Sequence, residues 1–270
     1  MRSIRTFTIS TLGLSSAAVL ALSAFGGPAK AASSVNYVAL GDSYSSGVGA
    51  GTTTGSCAQS NSAYGPLWAK ANSPASFTFA ACSGATTTDV INSQLSSLSS
   101  STTLVSLTIG GNDAGFSSVM ETCVLESTSS CQAAVAKAEQ YAQTTLPGKL
   151  DTMLSDIKAK APNAKIVMLG YPEFYDLSAS VCVGLSSADH KALDQAADVL
   201  DGVIQTAASG NGAYFADVRG QFSGHELCDN AGWLNSVDIT NIDASYHPTA
   251  TGQQDGYLPV FSAAAKAVGQ

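Results

Sequence analysis

Five short apolar runs, near 36–40, 76–80, 104–109, 165–170 and 213–217, recur along this chain with stretches of helical pattern between them. That alternation decides which folds are open to it. Two of the intervening stretches carry one apolar face at helical spacing. In the first it is formed by Leu146, Leu150, Met153, Leu154 and Ile157, and in the second by Leu193, Ala197, Leu200 and Ile204. The tail beyond Thr249 ends in an alanine-rich helical pattern, and the Ser/Thr-rich stretch 93–103 has the composition of a helix end and loop. A helix between two strands returns the chain in its original direction, so the strands pair in parallel and helices cover the sheet. The expected class is α/β, and reacting groups in such a sheet gather beyond the carboxyl ends of its strands.

The first run, Tyr37-Val38-Ala39-Leu40, breaks at Gly41-Asp42-Ser43-Tyr44-Ser45-Ser46-Gly47. The break sets the Ser43 hydroxyl on a strand-to-helix turn, beside N–H groups that lack helical partners. Such surroundings suit a nucleophile whose reaction builds negative charge on a carbonyl oxygen. One Gly-Asp-Ser is equally well a polar turn, so the rest of the chain must distinguish the two. The run Leu104 to Ile109 ends in Gly110-Gly111-Asn112-Asp113, where the Asn112 amide can donate to an oxyanion. After Phe77-Thr78-Phe79 comes Ala80-Ala81-Cys82-Ser83-Gly84-Ala85-Thr86, where Gly84 permits close approach of its backbone N–H. Ser245-Tyr246-His247-Pro248 puts His247 on a loop at an element boundary. Each piece alone has a plainer explanation: a tight turn, a helix cap, or a satisfied histidine. Of the three histidines, His190 falls in a polar helical stretch and His225 near a cysteine, and both fit such plain roles.

The four pieces in this order resemble the SGNH (GDSL-type) hydrolase superfamily, on the runs GDSYSSGVGA, FTFAACSGATTTDVINSQL, LTIGGNDAGF and SYHPTATGQ. The likeness spans essentially the whole chain after its first segment and is greatest to the secreted lipases, esterases and phospholipases A1 of that family. It implies a flavodoxin-like three-layer α/β/α sandwich with a five-stranded parallel sheet. It also implies Ser43 as nucleophile, His247 as base, and Ser43, Gly84 and Asn112 as oxyanion donors. One position departs from the pattern. Family members often carry an acid three residues before the histidine, and here Ala244 stands there. The resemblance leaves a backbone carbonyl at Ser245 to orient His247, with Asp243 as a possible helper, so a Ser-His dyad is expected. The α/β-hydrolase alternative is disfavoured, because no G-x-S-x-G occurs in the chain.

Arg2 and Arg5, the apolar stretch Ile9 to Phe25 and Ala29-Lys30-Ala31 have the form of a secretory signal. The expected division is a signal peptide over 1–31 and one catalytic domain over 32–270, with export to the extracellular space. No linker or repeat divides the remainder. Losing Arg2, Arg5 and Lys30 takes the formal net charge from −8 to −11. No basic patch is visible, which argues against nucleic acid as a partner. No later stretch is long and apolar enough for stable membrane insertion.

Cys57, Cys82, Cys123, Cys131, Cys182 and Cys228 make an even set, which in an exported chain implies disulfides whose pairing the letters leave open. The family resemblance implies Cys57–Cys82, Cys123–Cys131 and Cys182–Cys228. With no C-x-x-C and no Cys/His cluster, no metal site is expected, and Ser-His chemistry requires no cofactor. Tyr44, Phe116, Tyr171, Pro172, Phe174 and Tyr175 follow strand ends and can line an acyl cleft or simply pack the core. The function expected is hydrolysis of lipid or other acyl esters by a monomer. Two alternatives stay open: an O-deacetylase of polysaccharide with the same machinery, and a non-catalytic surface-binding module.

Overall fold

The computed structural model describes Met1, residues 34–238 and residues 240–270. The expected signal segment, beyond Met1, lies outside the described residues. Strand β1 (Asn36–Ala39) leads into one helical turn, α1 (Ser43–Ser46), and then α2 (Tyr64–Asn72) precedes β2 (Ser76–Phe79). A helical stretch opening with α3 (Thr87–Asp89) leads to β3 (Leu104–Leu107). Helices α4 (Phe116–Leu125), α5 (Thr128–Thr144) and α6 (Leu146–Lys160) come before β4 (Lys165–Leu169). Helix α7 (Ser187–Gly210) connects to β5 (Tyr214–Ala216), and α8 (Arg219–Phe222) and α9 (Leu258–Ala267) complete the order. The tail is less regular than its composition suggests: a π-helical turn, Gly252–Tyr257, precedes α9.

All five strands are parallel, in the order β2-β1-β3-β4-β5. Val38 pairs with Thr78 on one side and Val105 on the other. The central strand β3 is buried at every residue, whereas edge strand β2 is only half buried. The path from β1 moves outward to β2, then reverses to β3, β4 and β5. Right-handed crossovers then put α2 on one face of the sheet and α3, α6 and α7 on the other. Tyr37 of β1 shows the first face directly, with ring contacts to Trp68 of α2 and Phe261 of α9 at 5.2 and 5.4 Å. Its buried hydroxyl is bonded to Ser106 Oγ at 2.6 Å. On α6, the predicted stripe Leu150, Met153, Leu154 and Ile157 is fully buried. The reversal between β1 and β3 opens a crevice at their carboxyl ends, the usual place for a ligand in this topology.

Three disulfides form, Cys57–Cys82, Cys123–Cys131 and Cys182–Cys228, the pairing that the family resemblance implies. They close short and medium loops, at sequence separations of 25, 8 and 46 residues. Thiol titration of the native protein is expected to find no free cysteine. Calorimetry in reductant is expected to show Tm lowered by roughly 10 °C or more, from about 2–4 kcal/mol per bond.

Candidate active site

The nucleophile turn is shaped by Gly41 and Asp42. Gly41 has φ +118°, and a Cβ there would lie 2.5 Å from the Thr108 carbonyl oxygen and 2.7 Å from Ser45 Oγ. Only glycine fits both the dihedral and the space. Asp42 caps α1, its Oδ1 accepting the Tyr44 N–H at 3.0 Å. The same oxygen accepts from Thr108 Oγ1 at 2.6 Å, and Oδ2 accepts from the Tyr171 hydroxyl. Burial pushes the Asp42 carboxyl up to about 6, against the pull of these hydrogen bonds. Ser43 is therefore the first residue of a fixed helical turn, where its own N–H has no intrahelical acceptor.

His247 meets Ser43 from the far end of the chain. Its Nε2 lies 2.7 Å from Ser43 Oγ, and its Nδ1 lies 3.0 Å from the Ser245 carbonyl oxygen. A carbonyl can only accept, so Nδ1 carries the proton and the Nε2 lone pair faces the serine hydroxyl. The loop is held on both sides of the ring. Asn235 accepts the Tyr246 N–H on its backbone carbonyl at 2.7 Å, and donates its own N–H and its side-chain amide to the His247 carbonyl at 2.9 and 2.8 Å. Tyr246 itself has φ +64°, left-handed and unusual for a tyrosine. It is pinned there by Tyr44, whose hydroxyl donates to the Tyr246 carbonyl at 2.6 Å, and by Tyr175, whose hydroxyl donates to the Tyr246 hydroxyl at 3.0 Å.

Asp243 and Ala244 belong to a 3₁₀ turn, with Ala244 buried and Asp243 exposed. Burial lowers the His247 pKa to about 4; the Ser245 carbonyl and the charge of Asp243 offset only part of that shift.

Gly84 and Asn112 complete the ring. Gly84 is left-handed at φ +78°, and a Cβ there would meet nothing within 4 Å, so its surface faces open space. Asn112 donates one amide proton to the Ala85 carbonyl at 3.0 Å, which leaves the other uncommitted. The two loops are clamped together by Asp113, which accepts from the Thr87 N–H at 2.8 Å and the Thr87 hydroxyl at 2.7 Å. Ser43, Gly84, Asn112, Ser245 and His247 line one cavity of about 1320 Å³, open mouth included. A second cleft, about 690 Å³ with its mouth, also begins at Ser43 and Asn112 and runs past Phe116 and Phe174 to Ala138 and Leu200.

Of the aromatic residues expected near strand ends, Tyr44, Phe116, Tyr171 and Phe174 line this second cleft. Pro172 and Tyr175 do not; Tyr175 stacks on His190 at 3.8 Å. His225 stacks on Trp233 at 3.6 Å, so the other two histidines are packing residues. Among the described residues, no group of three or more His, Cys, Asp or Glu is placed to hold a metal ion. The bracing roles of Asp42 and Asn235 had no sequence signal, nor had Tyr171 as a hydrogen-bond donor; only the fold gives these groups their partners.

A parallel α/β sheet whose first strand delivers a serine onto a histidine, with amide donors beside it, has the layout of a serine hydrolase. Comparison with known proteins agrees. Residues 39–254 match the model of the GDSL-like Lipase/Acylhydrolase family. Lipase 1 of Streptomyces coelicolor is 52% identical over 260 residues, covering 95% of this chain and 97% of that lipase. The crystal structure of phospholipase A1 from Streptomyces albidoflavus NA297 superposes with a TM-score of 0.84 at 53% identity, covering 86% of this chain and 99% of that one. The extracellular lipase of Streptomyces rimosus superposes at 0.83 with 51% identity, over 85% of this chain and 99% of that one. The chain belongs to the GDSL-like lipase/acylhydrolase family, and its activity is that of a carboxylic ester hydrolase.

If His247 is the base, it must be neutral at Nε2 to accept a proton, so activity persists above its pKa and is lost as pH falls through it. The acid limb of kcat/KM is expected near pH 4 and not near the ordinary 6.5. In the same profiles Asp243→Asn is expected to cost only a few-fold in kcat; a loss near 10⁴ would instead identify Asp243 as a triad acid.

Proposed function

We propose that this protein is an exported hydrolase of lipid-like acyl esters that works through an acyl-serine on the Ser43–His247 dyad. Ser43 Oγ attacks the ester carbonyl while His247 Nε2 takes the hydroxyl proton. The negative charge formed on the carbonyl oxygen is met by the Ser43 and Gly84 N–H groups and the free Asn112 amide proton. Collapse of the tetrahedral intermediate breaks the bond to the leaving alcohol, which departs with the proton held by His247. Water then attacks the acyl-serine, His247 again serving as base, and Ser43 is restored. The Ser245 carbonyl fixes the imidazole tautomer throughout.

The observation that carries the choice of substrate is the cleft from Ser43 past Phe116 and Phe174 to Leu200. Its exposed lining is overwhelmingly apolar, which suits a fatty acyl chain. An acetylated polysaccharide, polar throughout, would gain little from such a lining, so the O-deacetylase alternative has less support. The names of the relatives, lipase and phospholipase A1, point the same way. Export accords with the signal-like first 31 residues, the three disulfides and the relative described as extracellular, leaving 32–270 as the catalytic domain. All the groups needed come from one chain, which supports a monomer.

A p-nitrophenyl ester series on purified protein tests the assignment. Octanoate and decanoate are expected to outpace acetate in kcat/KM, and Ser43→Ala to abolish turnover. Asn112→Ala is expected to lower kcat by roughly 10²–10³-fold, the usual cost of one oxyanion donor. Ala138→Trp, which fills the far end of the acyl cleft, is expected to move the optimum to shorter chains. A flat series, or faster release of acetate from acetylated xylan than of fatty acid from phospholipid, would favour the carbohydrate alternative.

A further inference from the structure

The large exposed apolar side chains are not scattered. Apart from Met1 and Tyr214, those among the described residues fall in three segments. Val124 and Leu125 end α4, the latter 72% exposed. Leu177, Val181 and Val183 lie on the loop between β4 and α7, with Val183 92% exposed. Val237 and Ile242 precede His247, with Ile242 63% exposed.

Two of these segments meet at the mouth of the active site. Val124, Leu125, Val237 and Ile242 stand on the rim of the cavity that contains Ser43 and His247. The 177–183 loop is fastened between the other two segments. At its start, Tyr175 bonds Tyr246 at 3.0 Å, beside the Val237–Ile242 segment. At its end, Ser186 Oγ bonds Thr128 Oγ1 at 3.1 Å, three residues beyond Leu125. The charges on these segments are of one sign. Between Lys70 and Lys137, between Lys165 and Lys191, and between Arg219 and Lys266 the chain has no lysine or arginine. The same segments carry Glu121, Glu126, Asp238 and Asp243.

We propose that these apolar side chains form a docking surface for neutral or zwitterionic lipid, by which the protein seats the mouth of its active site against aggregated substrate. The proposal rests on the lipid-ester function proposed above. Apolar side chains at an interface gain by leaving water. Acidic groups without cations gain nothing from an anionic surface and are repelled by it. Insertion is thus driven by the hydrophobic effect and not by charge. Because two segments of this surface border the cavity, docking presents Ser43 to the lipid without release of substrate into bulk water. No helix among the described residues is long and apolar enough to cross a membrane, so attachment is peripheral.

Flotation of the Ser43→Ala protein with phosphatidylcholine vesicles tests the surface without consuming the lipid. Binding is expected with phosphatidylcholine alone, unchanged by high salt, and weakened at low salt when phosphatidylglycerol is mixed in. The triple variant Leu177→Ser, Val181→Ser, Val183→Ser is expected to lose about tenfold or more of that binding. In the active background it should keep kcat/KM on dissolved p-nitrophenyl butyrate and lose hydrolysis of vesicle lipid. The double variant Leu125→Ser, Ile242→Ser is expected to lose binding independently of the loop. Unchanged binding in both variants, no binding by the parent, or binding that requires phosphatidylglycerol and vanishes in salt would overturn the proposal. So would a dimer in sedimentation that the same substitutions dissolve, since a second copy would then cover this surface. If the wild type cleaves dissolved esters but no lipid in any form, the substrate assignment itself fails.

Discussion

The buried carboxylate of Asp42 joins the ends of three strands in one group. It caps the turn after β1, accepts the Thr108 hydroxyl just beyond β3 and accepts the Tyr171 hydroxyl beyond β4. Burying a charge is costly unless hydrogen bonds replace the lost water, and here hydroxyl and amide donors do so without a cation. The donors are themselves organised. Ser45 Oγ lies 2.8 Å from both the Tyr64 hydroxyl and Thr108 Oγ1, so a line of hydroxyls from α2 ends on the same carboxylate. Gln94 braces Gly41 from the other side, donating to its carbonyl and accepting its N–H, each at 2.8 Å. Moving any one strand end would expose or orphan part of this network. The nucleophile thus takes its position from the sheet, although it stands on a turn of only four residues.

His247 is organised by backbone in the way Ser43 is organised by a side chain. A carbonyl orients the imidazole as well as a carboxylate would, but offers less to the imidazolium once the proton arrives. Burial outweighs what the carbonyl does offer and keeps the ring neutral over the range in which most histidines titrate. As the proposed base, His247 is available over a wide pH range and correspondingly weak, which puts more of the work on the proposed oxyanion donors. The clamp from Asp113 to Thr87 fits that need, because it fixes the Asn112 loop against the Gly84 loop without using either donor.

Much of this was legible in the letters. The apolar runs marked the strands: β1, β3 and β4 because a buried parallel strand has few polar residues to hide it, and edge strand β2 through Phe77 and Phe79. The stripe on α6 marked a helix with one buried face. Ser43, Gly84, Asn112 and His247 stood out because each occupies a glycine-rich or proline-bounded break, and the fold brings all four to one cavity. The Ser245 carbonyl came only from family resemblance, since a backbone oxygen has no letter of its own. The roles of Asn235 and Asp42 were hidden, because ordinary polar residues acquire them only when distant segments meet. Tyr44 and Tyr171 were legible as apolar lining but not as hydrogen-bond donors, and Tyr175 turned out to brace the histidine loop instead of the cleft. The alanine-rich end of the tail was legible as helix α9, whereas the π turn before it, which places Gln253 where it bonds both the Tyr64 N–H and the Tyr44 carbonyl, had no signal.

Ser43 and His247 are separated by 204 residues, so the two halves of the dyad are made at opposite ends of synthesis. A chain still growing has its serine early but lacks its base until the last few dozen residues emerge. On the proposed mechanism, a product that stops short of the 235–247 loop carries the nucleophile without its base. Reactivity is therefore the final property this chain acquires, after the sheet that supports it.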